Sequence, residues 1–299
     1  MNSPDNFRII SPQSCLVGES PLWSAEQQCW YWVDIPARQI WTYHPASQHS
    51  RHWQCAEMVA NLAFATGGGL IAGMESGIFH LTLEQDGQVT ASKLAALPEA
   101  APGIRFNDGR CDRQGRYWSG SMFMDMTAAR AIGNLYRYTA TDGLSAPFVQ
   151  QLLTQNGLAW SPDGKTMYLS DSHPQRQLIW AFDYDTDTGI PHQQRLLVDM
   201  QSMPGRPDGA AVDTDGCYWI CANDGAAVMR FTPKGKLDRI ITLPMKKPAM
   251  CSFGGDKLDE MLITSINPAP DNGDDWNGHS ILIRPGAQGI AETACSAFA

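Results

Sequence analysis

The chain has 299 residues, 43% hydrophobic and 18% charged, and 22 Lys+Arg against 31 Asp+Glu leave a formal net charge of −9. A chain this long buries roughly 75% of its unfolded surface, so it needs neither disulfides nor a structural metal to hold together, and its apolar content excludes disorder. The acidic balance argues against nucleic acid or an anionic membrane as the main partner.

The first residues, Met1-Asn2-Ser3-Pro4-Asp5-Asn6-Phe7-Arg8, lack the basic start and apolar core of a signal peptide. No stretch approaches the 18 or so uninterrupted apolar residues of a membrane span. The eight cysteines are thinly spread, and only Cys217 and Cys221 are close. On a strand those two would share a face about 13 Å apart, too far to bridge or chelate. Reduced, mostly buried thiols and a cytoplasmic location are expected.

In chain order, short runs rich in Val, Ile, Tyr, Trp and Phe alternate with Gly, Asp, Asn and Pro, which signals strands. Only 91–101 approaches a helical period, and Pro98 and Pro102 interrupt it. Leu22-Trp23-Ser24 followed by Cys29–Asp34 reads as strand, turn, strand, and so do 62–72, 109–120, 157–170, 209–221 and 249–264. Third strands follow at Asn134–Tyr138, Ile179–Asp183 and Ala227–Phe231. The unit starts, near 21, 62, 108, 157, 209 and 249, are spaced by 40 to 52 residues. Four strands per unit at that period predict an all-β, six-bladed β-propeller with four-stranded antiparallel blades, as one domain over 1–299.

Several fragments have plain readings. Asp163-Gly164-Lys165-Thr166 is a hairpin turn, because Ala159 stands where a phosphate loop needs its first Gly. Gly67-Gly68-Gly69 is likewise a turn. Asp183, Asp185 and Asp187 mimic the start of an EF-hand, but Thr188 and Gln194 occupy its Gly and Glu positions, so an acidic loop between blades is expected. No G-x-S-x-G elbow occurs, and His173 reads as structural.

In a propeller the chain reaching each innermost strand converges on one mouth of the central channel. The residues there are Glu19, Asn61, Asn107, Asn156, Asp208 and Pro248, each expected just before its inner strand. An isolated Asn-Gly is a turn; a convergent pair of acids around a ring is not explained by turns. Two carboxylates with amide oxygens make a hard-oxygen site suited to Ca²⁺, Mg²⁺ or Mn²⁺ rather than structural zinc.

The motifs Gly18-Glu19-Ser20-Pro21-Leu22-Trp23, Arg105-Phe106-Asn107-Asp108-Gly109, Asn156-Gly157-Leu158-Ala159-Trp160-Ser161 and Arg206-Pro207-Asp208-Gly209 span nearly the whole chain. In these the sequence resembles the SMP-30/gluconolactonase/regucalcin-like sugar lactonases. The resemblance implies a propeller with one divalent cation held by Glu19, Asn156 and Asp208, its identity open among calcium, magnesium, manganese, zinc and iron. Arg105 and Asn107 match residues that hold sugar hydroxyls. Asp125 falls where some members carry a substrate-contacting Glu; the shorter side chain suggests a different sugar preference. The expected activity is metal-dependent hydrolysis of a small-molecule sugar lactone, with Asp208 as general base, by a monomer or small homo-oligomer. Alternatives are a propeller hydrolase of organophosphate or aryl esters, and a non-enzymatic calcium-binding propeller. For Arg105 the alternative is a buried bridge to an acid such as Asp108. Specificity is expected in the rim loops 121–133, 172–177 and 268–279.

Overall fold

The computed structural model describes residues 7–269 and 276–296. Six antiparallel sheets follow one another around a ring. Their innermost strands are Gly18–Ser24, Val59–Phe64, Ile104–Cys111, Gln155–Trp160, Arg206–Val212 and Pro248–Gly254, and we number the blades one to six in that order. The propeller expectation is borne out, with two refinements. Blade three has a split outer edge, because Gly143–Leu144 and Val149–Leu152 both pair with Gly133–Thr139. Blade six takes its outermost strand, Arg8–Ile9, from the start of the chain: Arg8 pairs with Leu282 and Ile9 with Ile281. That exchange closes the ring without a covalent link.

The core is six clusters, one between each pair of neighbouring blades. Strand alternation builds them, since successive side chains face opposite sides of a sheet. In blade one, Trp30 and Trp32 face blade six beside Leu262 and Leu282, while Tyr31 and Val33 face blade two beside Leu62 and Ala72. In blade five, Tyr218 and Ile220 pack toward blade four and Trp219 and Cys221 toward blade six. The tryptophans are therefore interblade filler, and burying such large apolar rings is what holds one blade to the next. All eight cysteines are unpaired and buried. Among the described residues no helix is long and apolar enough to cross a membrane.

Local expectations meet mixed outcomes. Gly164 turns its hairpin at φ 74°, as expected. The 91–101 stretch contributes to a strand, Val89–Ala96. The acidic run at 183–187 is not a loop between blades. It ends Leu178–Asp185 and turns into Ile190–Asp199, so it is a hairpin inside blade four. The carbonyls of that turn are useful to blade three, whose Arg116 donates to Thr186 and Asp187 and whose Arg137 donates to Thr188 and Gly189.

Candidate active site

The polar residues expected just before the inner strands lie inside them, at β-bulges. Every inner strand carries such a register shift: Glu19/Leu22, Val59/Asn61, Phe106/Gly109, Asn156/Ala159, Pro207/Ala210 and Pro248/Cys251. A bulge sets two residues against one on the partner strand and re-aims a side chain. This corrects the single-register picture, because Glu19 and Asn156 sit just before their bulges while Asn107 and Asp208 sit inside theirs. The bulge in Gln155–Trp160 needs glycine: Gly157 has φ 65°, and a Cβ there would lie 2.4 Å from the Tyr218 hydroxyl. Asn156-Gly157 is thus a strand feature and not a loop turn.

Buried amides stitch neighbouring blades together around the mouth. Asn61 Nδ2 donates to the Asn107 carbonyl (2.8 Å), Asn107 Nδ2 to the Gln155 carbonyl (2.7 Å) and Asn223 Nδ2 to the Pro248 carbonyl (3.2 Å). Asn107 Nδ2 also reaches Asn156 Oδ1 at 3.2 Å, and Arg105 Nη1 donates to Asn107 Oδ1 at 2.7 Å and to the Phe106 carbonyl at 2.8 Å. Arg105 therefore does not bridge Asp108, whose Oδ2 accepts from Leu158 N at 2.8 Å and whose Oδ1 is buried without a hydrogen-bond partner among the described residues. Ser20 ties blade one to blade two, its Oγ accepting from Leu62 N at 2.8 Å.

Glu19 and Asp208 are 8% and 5% exposed, and the charge of Asp208 acts on Glu19. Burial pushes the Glu19 carboxyl well above its usual range, and the charges of Asp208 and Asp108 push it further. Burial likewise raises Asp208 to about 7; Arg206 and the Asn223 hydrogen bond pull the other way, and Asp108 adds to the rise. Asp108 is raised by burial too. Burial lowers Arg105 to about 10 against the attraction of Glu19, Glu75 and Asp208. Like charges held together out of water leave a deficit of positive charge, which a divalent cation would fill. Among the described residues no group of three His, Cys, Asp or Glu gathers into a metal cluster. The available donor set is two carboxylates and the Asn156 amide oxygen, and this hard-oxygen chemistry fits such an ion.

Arg105, Asn107 and Asn156 thus share one hydrogen-bond network, and the charges of Glu19 and Asp208 both act on Arg105. Asp125 does not join it. It is exposed, and its Oδ1 caps a 3-10 turn, Met126–Ala128, by accepting from Thr127 N at 3.0 Å. His173, 4% exposed, holds that turn through Nε2 and the Met126 carbonyl (2.9 Å), the structural role expected of it. Within the 268–279 loop, residues 270–275 lie outside the described residues, while Trp276 packs against the core between blades five and six. Asp108, which adjoins Asn107 in the same motif, belongs to this buried acid group although the sequence offers it only as a partner for Arg105. Asn223 has no local signal: it ends the second strand of its blade, Tyr218–Asn223, outside every motif.

The sequence profile of the SMP-30/Gluconolactonase/LRE-like region matches residues 17–267. A 6-deoxy-6-sulfogluconolactonase from Pseudomonas putida is 33% identical over 293 residues, covering 96% of this chain and 98% of that protein. Regucalcin from Sus scrofa is 32% identical over 288 residues, covering 95% of this chain and 92% of the relative. Among solved structures, a calcium-binding regucalcin from Agrobacterium tumefaciens superposes with a TM-score of 0.88 at 23% identity, covering 96% of each chain, a likeness that speaks for the fold. The chain belongs to the SMP-30/gluconolactonase/LRE-like family.

Proposed function

We propose that this chain, as one propeller domain over 1–299, is a sugar lactonase that opens an aldonolactone to its aldonic acid with one divalent cation held by Glu19, Asn156 and Asp208. The pairing of Glu19 with Asp208 carries the reading, because two buried, mutually repelling carboxylates are costly unless something positive or protonated separates them. Bound there, the ion supplies Lewis acidity toward the lactone oxygens. Asp208 is the general base: its carboxylate takes a proton from water as the water oxygen attacks the carbonyl carbon, and returns it to the ring oxygen as the C–O bond breaks. Burial raises Asp208 to about 7 without a cation, and a bound cation would lower it and hold the carboxylate in its basic form. Arg105 keeps its charge at neutral pH and can donate to sugar hydroxyls or to oxyanion charge developing on the substrate. Asn107, locked by Arg105 on one side and Asn156 on the other, holds the sugar-facing wall in place. Asp125 is proposed to reach substrate hydroxyls from the rim. The substrate class follows the P. putida relative, whose name places it on a gluconolactone.

The test is a pH-drop assay against a panel of γ- and δ-aldonolactones, with and without EDTA. Wild type is expected to hydrolyse at least one of them. Asp208→Ala should lose about 10²–10⁴-fold in rate while remaining folded. Full activity in Asp208→Ala would sink the proposal.

A further inference from the structure

We infer that Arg206 and Asn223 are positioning residues that set the pose of Asp208 through a guanidinium–amide–carboxylate relay. The inference rests on the reading of Asp208 as cation ligand and base. Arg206 Nη2 donates to Asn223 Oδ1 at 2.8 Å, and Asn223 Nδ2 donates to Asp208 Oδ2 at 2.8 Å. Asn223 is fully buried, and its amide has one satisfied orientation, with oxygen toward the guanidinium and nitrogen toward Asp208 and the Pro248 carbonyl. Arg206 is itself anchored across two blades, by Asp224 Oδ2 at 3.1 Å within blade five and by the Ser172 carbonyl at 3.1 Å from blade four. The relay occupies Oδ2 of Asp208 and leaves Oδ1 as the oxygen for the proposed cation.

The ring repeats this register position with a different occupant. Asn223 pairs with Arg206, the first residue of its inner strand; Asp34 pairs in the same way with Gly18, and Asp171 with Gln155. Asp34 spends its oxygens on the backbone N–H groups of Leu16 and Val17, and Asp171 on those of Leu153 and Thr154, the two residues that lead into each inner strand. In blade five the corresponding residues are Pro204 and Gly205. Proline has no N–H to satisfy, so the side chain at 223 is released from that task and turns inward to Asp208. An amide suits the position, because a carboxylate would add another negative charge beside Asp208.

The experiment compares wild type with Asn223→Leu, Arg206→Leu and Arg206→Lys by crystal structure and by calorimetric titration with CaCl₂ and MnCl₂. Arg206 is partly exposed, so its variants should fold even if Asn223→Leu does not. The relay predicts that the Asp208 carboxylate leaves its wild-type pose by more than about 0.5 Å, a displacement large enough to matter at a site. Cation affinity should fall by about 10–100-fold, the usual cost of losing an outer-shell partner. Lysine should not rescue, since a point charge cannot reach Asn223, Asp224 and Ser172 together. An unchanged Asp208 pose overturns the inference, as does undiminished affinity where wild type binds a cation. If wild type binds neither cation yet Asp208 moves in the variants, the relay stands and the functional reading falls.

Discussion

At the mouth of the channel, where the inner strands begin, Glu19, Asp208 and Asp108 are buried together, with Arg105 acting on Glu19 and Arg206 on Asp208. At the opposite end, where the same strands finish, Arg110 meets Glu292 at 3.4 Å, and Ser252 Oγ donates to Glu292 Oε1 at 3.5 Å. Glu292 is delivered by the C-terminal segment, which straps across four blades: Thr214 N donates to the Gln288 carbonyl (2.8 Å), Gly289 N to Leu258 (2.8 Å), Cys295 N to Phe64 (2.7 Å) and Ser296 N to Gly115 (2.9 Å). One end of the channel thus balances its buried charge with an opposite charge, as a structural ion pair must. The other end keeps an excess of one sign. Stability alone would not select that excess, whereas holding a cation would, and sites of this kind commonly trade stability for function.

The contrast is sharpest at Asp208. Asp208→Asn should lower lactone turnover by about 10²–10⁴-fold and, at pH 8 without cation, raise Tm, because it removes half of the repelling pair. A variant that is both inactive and less stable would break the comparison.

A pH series comes next. Burial lifts Asp208 from 3.8 to about 7 in the folded chain, so its protonated form is favoured there. Its contribution to stability is therefore complete below about pH 4 and is lost as pH rises through about 7. The cation-free protein should lose several degrees of Tm over that interval by calorimetry, less so in Asp208→Asn. With Ca²⁺ added the trend should reverse, because deprotonated carboxylates bind the ion. A flat cation-free profile would contradict the excess of negative charge.

Glu292→Ala probes the balanced end. Leaving Arg110 buried without its partner should cost about 1–3 kcal/mol in urea unfolding with kcat unchanged; a fall in kcat as large as that of Asp208→Asn would make the two ends one site. The smallest effect belongs to Asp125→Ala, expected to raise KM a few-fold at constant kcat in steady-state kinetics. An unchanged KM would leave Asp125 as the cap of its turn only.

The ring was readable because it repeats: Gly-containing turns and alternating strands recur along the chain, and the unit starts fall on the inner strands. Glu19, Asn156 and Asp208 were legible from the polar residues that recur where each unit begins and from the motifs Gly18–Trp23, Asn156–Ser161 and Arg206–Gly209 that carry the family resemblance. What escaped was long-range. Arg8–Ile9 is only two residues, and nothing local says that it pairs with Ile281–Ile283. The strap ending at Ser296 carries no strand pattern, since its partners belong to four blades. Bulges shift the register without changing composition, so the polar residues were placed before the strands and not inside them. Asn223 looks like any strand-end residue until Pro204, which lacks an N–H, is set beside it.

The most direct measurement is calorimetric titration of CaCl₂ and MnCl₂ into chelator-stripped protein at pH 8, for wild type and the double variant Glu19→Gln, Asp208→Asn. The account predicts a single site in wild type and none in the double variant, with the fold retained. Equal binding by both proteins, or none by wild type, would contradict it.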